Sequence, residues 1–345
     1  MANITYLLGA GASYNACPIW KEQGEKMVEL SNKYQLNHDY ETFKNLHNYK
    51  ENPSEFILWE IGYFGTKAIM YNTIDAYARK LSFSKSNDEL DRLKFAISVF
   101  FTVWQLSTDL EIRNKERFSD IIDRRYITLL AALLEDKNQR NPILPSNVNI
   151  VTWNYDLQFE FAYKSFCEDD RNWRDIRQTL KFTSADKDSL QVCHLNGYHG
   201  YYFGGRGETD ILDSTKDNKN STKDILDSIS FMIESFFEQR INFHNHINFA
   251  WEVGKGEDEG ISLSIRKRAK KIFADTDILI IIGYSFPPFN KEIDKDLFSA
   301  LRKSNLEIIY QDPNADNKFL NKLIDTSNLH ITYLNERRDH FYFPY

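Results

Sequence analysis

Long parts of the chain carry apolar residues at three- and four-residue spacing, but several short stretches are mostly apolar and do not alternate. Ile4–Leu8, Val148–Thr152, residues 190–195, Ile278–Ile282 and residues 306–310 are rich in aliphatic and β-branched residues without regular polar alternation, with a weaker run at His330–Leu334. A strand solvated on one face alternates in polarity, whereas one buried on both faces does not. Continuous runs therefore predict a parallel sheet covered by helices. Gly, Asn or Asp clusters follow the runs, where the loops at strand C-terminal ends are expected. Ligands of open α/β sheets bind beyond those ends.

Between these strands the helical period dominates. Residues 55–71 and 120–135 predict amphipathic helices in the long interval between the first two strands, and residues 225–241 predict another between the third and fourth. A polar stretch, 210–224, leads into the latter and reads as a loop. The most apolar window, residues 93–106, is interrupted by Lys94, Ser98 and Thr102. It is shorter than the ~20 residues a membrane span needs, and so predicts a buried helix. The fold class expected is α/β: a Rossmann-like parallel sheet with large helical insertions forming a second module. The sheet core is placed at 1–20, 146–205 and 270–345, and the insertions at 21–145 and 206–269. Phe231, Phe236 and Phe237 in the later insertion suit internal packing, or contacts with a partner.

Composition narrows the class. In 345 residues there are 43 basic and 50 acidic side chains, a formal charge of −7. That balance argues against phosphate-backbone binding as the main task, so nucleic acid is not an expected direct partner, although a local basic patch would fit within it. Cys17, Cys167 and Cys193 are scattered with no CxxC pair. This pattern supports neither a disulfide framework nor a four-cysteine zinc site, and no metal is expected. The start, MANITYLLGAGAS, lacks the basic region and long apolar stretch of a signal peptide. A cytoplasmic protein without a membrane segment is expected.

Candidate chemistry lies at the strand ends. Gly9-Ala10-Gly11-Ala12-Ser13 follows the first strand. Glycine there allows a tight turn whose N–H groups approach a pyrophosphate at a helix N-terminus. It equally suits a turn that needs small residues for packing, because Tyr14 stands at the third glycine position of the full dinucleotide fingerprint. After Thr152 come Asn154 and Asp156, two residues apart and thus on one side of an extended chain; they suit either a ligand site or a turn. His194 and Asn196 share a face at the third strand end, with Gly197, His199 and Gly200 close behind. Gly283-Tyr284-Ser285 follows the fourth strand without forming a GxSxG nucleophile elbow. Asp312 and Asn314, flanking Pro313, suit a ribose or adenine edge, or an Asx-Pro turn. A metal-dependent nuclease is suggested only by His244-Asn245-His246, which lacks a nearby carboxylate pair.

Taken in order, GAGAS, TWNYD, HLNG, GYSFP and QDPN resemble the Sir2 (sirtuin) superfamily, and most closely its bacterial antiviral-defence branch of SIR2-like NADases. The resemblance covers about a quarter of the chain and leaves out the insertions. It implies NAD⁺ as substrate, with Gly9, Ala10, Gly11, Ala12 and Ser13 at the pyrophosphate and Pro18 and Ile19 over the nicotinamide ribose. It further implies Thr152, Asn154 and Asp156 beside the scissile bond, Gly283 and Ser285 on the adenosine side, and Asp312 and Asn314 at the adenine and its ribose. The zinc-ribbon cysteines of the deacylating members are absent, which disfavours protein deacylation. The family's usual His-Gly falls on Asn196-Gly197, so His194 or His199 stands in for the histidine, or NAD⁺ is bound and not consumed.

Hydrolysis of NAD⁺ to nicotinamide and ADP-ribose is therefore the expected activity, serving to deplete NAD⁺ in anti-phage defence. Asn154 would position the water, Asp156 would orient it or stabilise charge, His194 would act as general base, and Asn196 would line the reacting end. A homo-oligomer or a defence-system partner is expected to hold the activity off in healthy cells. A sensor or scaffold that binds NAD⁺ or ADP-ribose without cleaving it is the competing reading.

Overall fold

A computed structural model describes residues 1–34, 50–110, 120–136, 142–168, 172–182, 190–204, 207–214, 221–238, 243–252, 259–302, 305–336 and 339–344. The chain divides into two compact units. The first comprises Met1–Tyr14, Ile122–Gly197 and Ala250–Tyr345, and the second Asn15–Ile121 and Tyr198–Phe249. Residues 122–136, 142–145, 250–252 and 259–269, expected among the insertions, thus fall in the first unit, and residues 15–20 and 198–204 in the second.

The first unit is built on the apolar runs. Strands β1 (Ile4–Leu8), β2 (Val148–Thr152), β3 (Val192–His194), β7 (Ile278–Ile282), β8 (Glu307–Gln311) and β9 (His330–Leu334) form one sheet in the order β3-β2-β1-β7-β8-β9. Every neighbouring pair is parallel. This is the doubly wound α/β order, with its reversal between β1 and β7. Leu7, Val151, Leu279, Ile281 and Ile308 are buried with Ile265, Ala269, Ile272 and Phe273 of helix Glu259–Asp275, and with Leu297 and Phe298 of helix Lys291–Phe298. Full burial of such a side chain contributes about 1.5–3 kcal/mol. The run at 190–195 shortens to three paired residues because the chain turns at once after His194, where the Gly197 N–H donates to the His194 carbonyl.

The helix read at 120–135 begins later, as Arg124–Leu133, because the Asp123 side chain accepts the Arg125 N–H and caps it.

The second unit holds helices Gln23–Tyr34, Pro53–Met70, Ile74–Phe83, Asn87–Leu106 and Thr222–Glu238. Asn52 and Thr73 cap two of them through the N–H groups of Glu55 and Ala76. The apolar window at 93–106 is the interior of Asn87–Leu106, with Phe95, Phe100 and Trp104 buried. Phe236 stacks on Phe95 at 4.3 Å and Phe237 meets Phe56 edge-on at 4.6 Å, whereas Phe231 is exposed. Residues 239–241, the expected end of that helix, lie outside the described residues. An antiparallel sheet, β5-β4-β6, which the patterning did not reveal, joins β4 (Tyr201–Gly204), β5 (Gly207–Asp210) and β6 (Phe243–Asn245). Among the described residues no helix is long and apolar enough to cross a membrane.

Candidate functional site

Pairing in register sets Leu8, Thr152, His194, Ile282 and Gln311 level with one another. The chain leaves five strands along one edge, and most of the residues singled out in the sequence fall within a few positions beyond it. Pro18 and Ile19 do not; they belong to the second unit, where Pro18 is buried and the Ile19 N–H donates to Glu22 Oε2 at 3.2 Å.

At the β1/β7 reversal two turns meet backbone to backbone. The Gly9 N–H donates to the Ile282 carbonyl at 3.0 Å and the Gly11 N–H to the Gly283 carbonyl at 2.9 Å. A Cβ on Gly283 would lie 2.2 Å from Ala12 N, and Gly283 also holds a φ of +59°. One on Gly9 would lie 2.6 Å from the Gly283 carbonyl oxygen. Both positions require glycine. The turn differs from the expected helix N-terminus, because Ala10–Ser13 make a single 3₁₀ turn. The N–H groups of Gly9, Gly11 and Ala12 are all donated to carbonyls of the fold, so they do not form an open cradle for a pyrophosphate. The packing role of these glycines is directly visible. The Ala10 N–H meets no acceptor among the described residues.

A polar cluster rests on this junction. Asn154 Nδ2 donates to the Gly9 carbonyl at 3.0 Å and lies 3.3 Å from Ser13 Oγ; its own N–H donates to Thr152 Oγ1 at 3.1 Å. Asp156 Oδ1 accepts from Ser13 Oγ at 2.9 Å and from the Gln158 N–H at 3.1 Å. Tyr126, from helix Arg124–Leu133, brings its hydroxyl to 3.3 Å from Ser13 Oγ. Ser13, Asn154 and Asp156 are all buried, yet Asn154 Oδ1 and Asp156 Oδ2 accept no hydrogen bond among the described residues. Burial pushes the Asp156 carboxyl up to about 6, against the lowering effect of its bonds from Gln158 and Ser13. Burial likewise holds the Tyr126 phenol well above its ordinary range, with the Asp156 charge adding to the rise.

Arg125 was not legible as a site residue. Its Nη2 reaches the carbonyls of Gly11 at 3.3 Å and Ala12 at 3.1 Å, while Asp123 pairs with the same guanidinium at 2.6 Å. Phe341 lies beneath it, 4.8 Å from the guanidinium carbon.

His194 is placed differently from the role expected of it. Its Nε2 lies 2.7 Å from Glu160 Oε1, its Nδ1 lies 3.4 Å from the Asn154 carbonyl oxygen, and only 3% of the residue is exposed. A general base needs a lone pair open to the proton it takes, and both ring nitrogens are occupied. Glu160, on helix Gln158–Lys164, is itself buried. The only hint of it in the sequence is a carboxylate inside the otherwise apolar FEFAY. His199 lies in the second unit, fully buried, with Nδ1 3.0 Å from Thr102 Oγ1 and Nε2 2.6 Å from Gln105 Oε1. Asn196 is 5% exposed, and its buried Oδ1 has no hydrogen-bond partner among the described residues. Leaving such an acceptor bare costs about 1–3 kcal/mol.

On the other side of the junction, Ser285 is exposed and Phe286 holds a φ of +51°. Tyr284 is buried; its hydroxyl lies 2.9 and 2.8 Å from the two oxygens of Asp294 and accepts from Asn290 Nδ2 at 3.0 Å. Asp312 Oδ1 accepts the Asn314 N–H at 2.7 Å, the geometry of an Asx turn, and burial raises its carboxyl. Asn314 is exposed. His246, from the His-Asn-His triplet, is buried against the rings of Tyr198 at 4.5 Å and Tyr201 at 5.5 Å.

No protein-family model matches the chain, and no curated protein matches it in sequence. Among solved structures it is similar to a Sir2 in complex with an inhibitor, 2′-O-acetyl-ADP-ribose and a deacetylated peptide, at 12% identity and a TM-score of 0.40, over 96% of this chain and 87% of that one. It is also similar to a Sir2 bound to a propionylated peptide, at 13% identity and a TM-score of 0.38, over 96% and 87%. A third is a serine-to-alanine mutant of a Sir2 homologue in complex with ADP-ribose, at 12% identity and a TM-score of 0.37, over 97% and 87%.

Proposed function

We propose that this chain binds NAD⁺ along the strand edge and hydrolyses its nicotinamide–ribose bond to nicotinamide and ADP-ribose. The observation that carries the reading is the Ser13–Asn154–Asp156 cluster. It is fixed to the β1/β7 junction, at the point where open α/β sheets bind nucleotides, with one acceptor oxygen of Asn154 and one of Asp156 unbonded among the described residues. The order of the motifs along the chain, in its resemblance to SIR2-like NADases, supplies the substrate.

Nicotinamide in NAD⁺ is already a cationic leaving group, so scission needs little acid help. What it needs is a held ribose, negative charge near the developing positive centre, and a water on the opposite face. Asn154 suits the third need through Oδ1, because its amide nitrogen is anchored on the Gly9 carbonyl and its orientation is thereby set. Asp156 brings a carboxylate to the same spot. Asn196 offers a bare acceptor to a ribose hydroxyl or the carboxamide. Ser285, Asp312 and Asn314 are proposed for the adenosine half. In a cell this activity would deplete NAD⁺ during anti-phage defence, held off by self-association or by a partner protein.

Binding without cleavage is the second reading, and the engagement of His194 with Glu160 favours it. Free nicotinamide, measured by mass spectrometry after incubating the purified protein with NAD⁺, separates the two. Hydrolysis predicts that the wild type releases nicotinamide and that Asn154→Ala does not. NAD⁺ that is bound and recovered intact at every protein concentration would select the sensor.

A further inference from the structure

We infer that Asp156, rather than a histidine, accepts the proton of the attacking water, and that Glu160 and His194 form a positioning pair behind it. The inference deepens the hydrolase reading above and rests on it.

The first support is the count of available lone pairs. A base must present an unengaged lone pair to the reacting water. His194 has Glu160 at one ring nitrogen and the Asn154 carbonyl at the other. His199 is closed by Thr102 and Gln105. Asp156 differs from both: Oδ1 takes the two bonds that fix the carboxylate, from Ser13 Oγ and the Gln158 N–H, and Oδ2 takes none among the described residues. That oxygen belongs to the group that Ser13 ties to Asn154, the side chain proposed to hold the water.

The surroundings of Asp156 suit the task. Ser13 faces it from the β1 turn, Tyr126 from helix Arg124–Leu133 with the Asp123–Arg125 pair behind, Glu160 from helix Gln158–Lys164, and His194 from β3. Burial raises the carboxyl to about 6, which makes it a stronger base than an ordinary aspartate and still leaves it ionised at neutral pH. The step balances without an oxidant or reductant. Water oxygen bonds to ribose C1′, the C1′–N bond breaks with its electron pair passing to the nicotinamide ring nitrogen, and one water proton passes to Oδ2 and then to solvent. His194 acts at one remove: it touches the Asn154 carbonyl and sets the height of the Asn154–Asp156 loop over the strand edge.

The test is nicotinamide release against pH, with ADP-ribose binding by calorimetry and thermal melting for each variant. For the wild type, kcat should rise as pH increases through about 6 and level off above it, because the base works in its ionised form. Asp156→Asn should lose about 10²–10⁴-fold in kcat at pH 8 and bind ADP-ribose within a few fold of wild type. Asp156→Ala should regain part of its turnover when formate is added. His194→Gln and Glu160→Gln should lose less than about tenfold and keep the acidic limb where it was. Should Asp156→Asn turn over at the wild-type rate, or His194→Gln abolish both turnover and the limb in a folded protein that binds ADP-ribose, the assignment is overturned while hydrolysis itself stands. A wild-type kcat that is flat between pH 5 and 7 overturns it even where the Asp156 variants fail to fold. Wild-type protein that binds ADP-ribose and never releases nicotinamide removes the hydrolase reading and this assignment together.

Discussion

Two buried polar clusters, one in each unit, use the same kinds of side chain to different ends. In the helical unit Ser98, Thr102, Gln105, His199 and Tyr202 bond to one another: the Tyr202 hydroxyl donates to Ser98 Oγ at 2.7 Å, the Gly200 N–H reaches the same oxygen at 3.0 Å, and both nitrogens of His199 are engaged. In the sheet unit Ser13, Asn154, Asp156 and Tyr126 are also buried, yet two acceptor oxygens take no hydrogen bond among the described residues. The first arrangement specifies packing. The second leaves lone pairs without a hydrogen bond among the described residues, at a strand edge. A histidine at a motif position is therefore poor evidence of chemistry; the lone pairs left after the fold is complete are better evidence.

The comparison breaks most visibly at Asn154. Asn154→Ala is expected to lower NAD⁺ turnover by 100-fold or more, since an ångström of misplacement alone costs about 10²; loss of turnover with an unchanged melting curve is the outcome to look for. Gly283→Ala comes next. Its Cβ would fall 2.2 Å from Ala12 N at a positive φ, so destabilisation of about 3 kcal/mol or more is expected in urea, together with weaker ADP-ribose binding.

In the cluster of the helical unit, His199→Ala should cost about 2–4 kcal/mol by stripping partners from Thr102 and Gln105 and opening a cavity, while kcat per folded molecule stays within twofold. Asp156→Asn should act in the opposite sense on stability. A carboxyl raised from 3.8 to about 6 opposes folding in its ionised form. That penalty is absent below pH 3.8, grows between 3.8 and 6, and is complete above 6, where about two pH units correspond to about 3 kcal/mol at most. The variant should therefore gain Tm over wild type at pH 7.5 and lose that gain at pH 4. Phe231→Ser, at an exposed aromatic outside both clusters, should change stability by no more than about 0.5 kcal/mol. A large loss of self-association in that variant would instead mark the helix as an interface.

The inner strands were legible because burial on both faces removes alternation: Ile4–Leu8, Val148–Thr152 and Ile278–Ile282 stand where the apolar runs placed them, and the half-exposed edge strand His330–Leu334 matches the weaker run. The antiparallel sheet was not, since its strands are short and Tyr201 and Tyr202 read as a continuation of the Gly- and His-rich loop. Asn154 and Asp156 were legible from their spacing at a strand end. Their partners were harder to find. Tyr126 and Arg125 arrive from a helix more than a hundred positions from the turn they touch, and nothing local announces that contact. Glu160 could be suspected only as a charge in an apolar helix. The intramolecular use of the Gly9 and Gly11 amides was out of reach, because it depends on where Ile282 and Gly283 lie across the sheet.

The glycine seam has a further meaning for how such a chain can change over time. Because the loops after β1 and β7 touch main chain to main chain at Gly9, Gly11 and Gly283, neither can lengthen or tilt by itself. The two behave as one inherited cassette. Any attempt to graft different loops onto this sheet edge will have to transplant both at once.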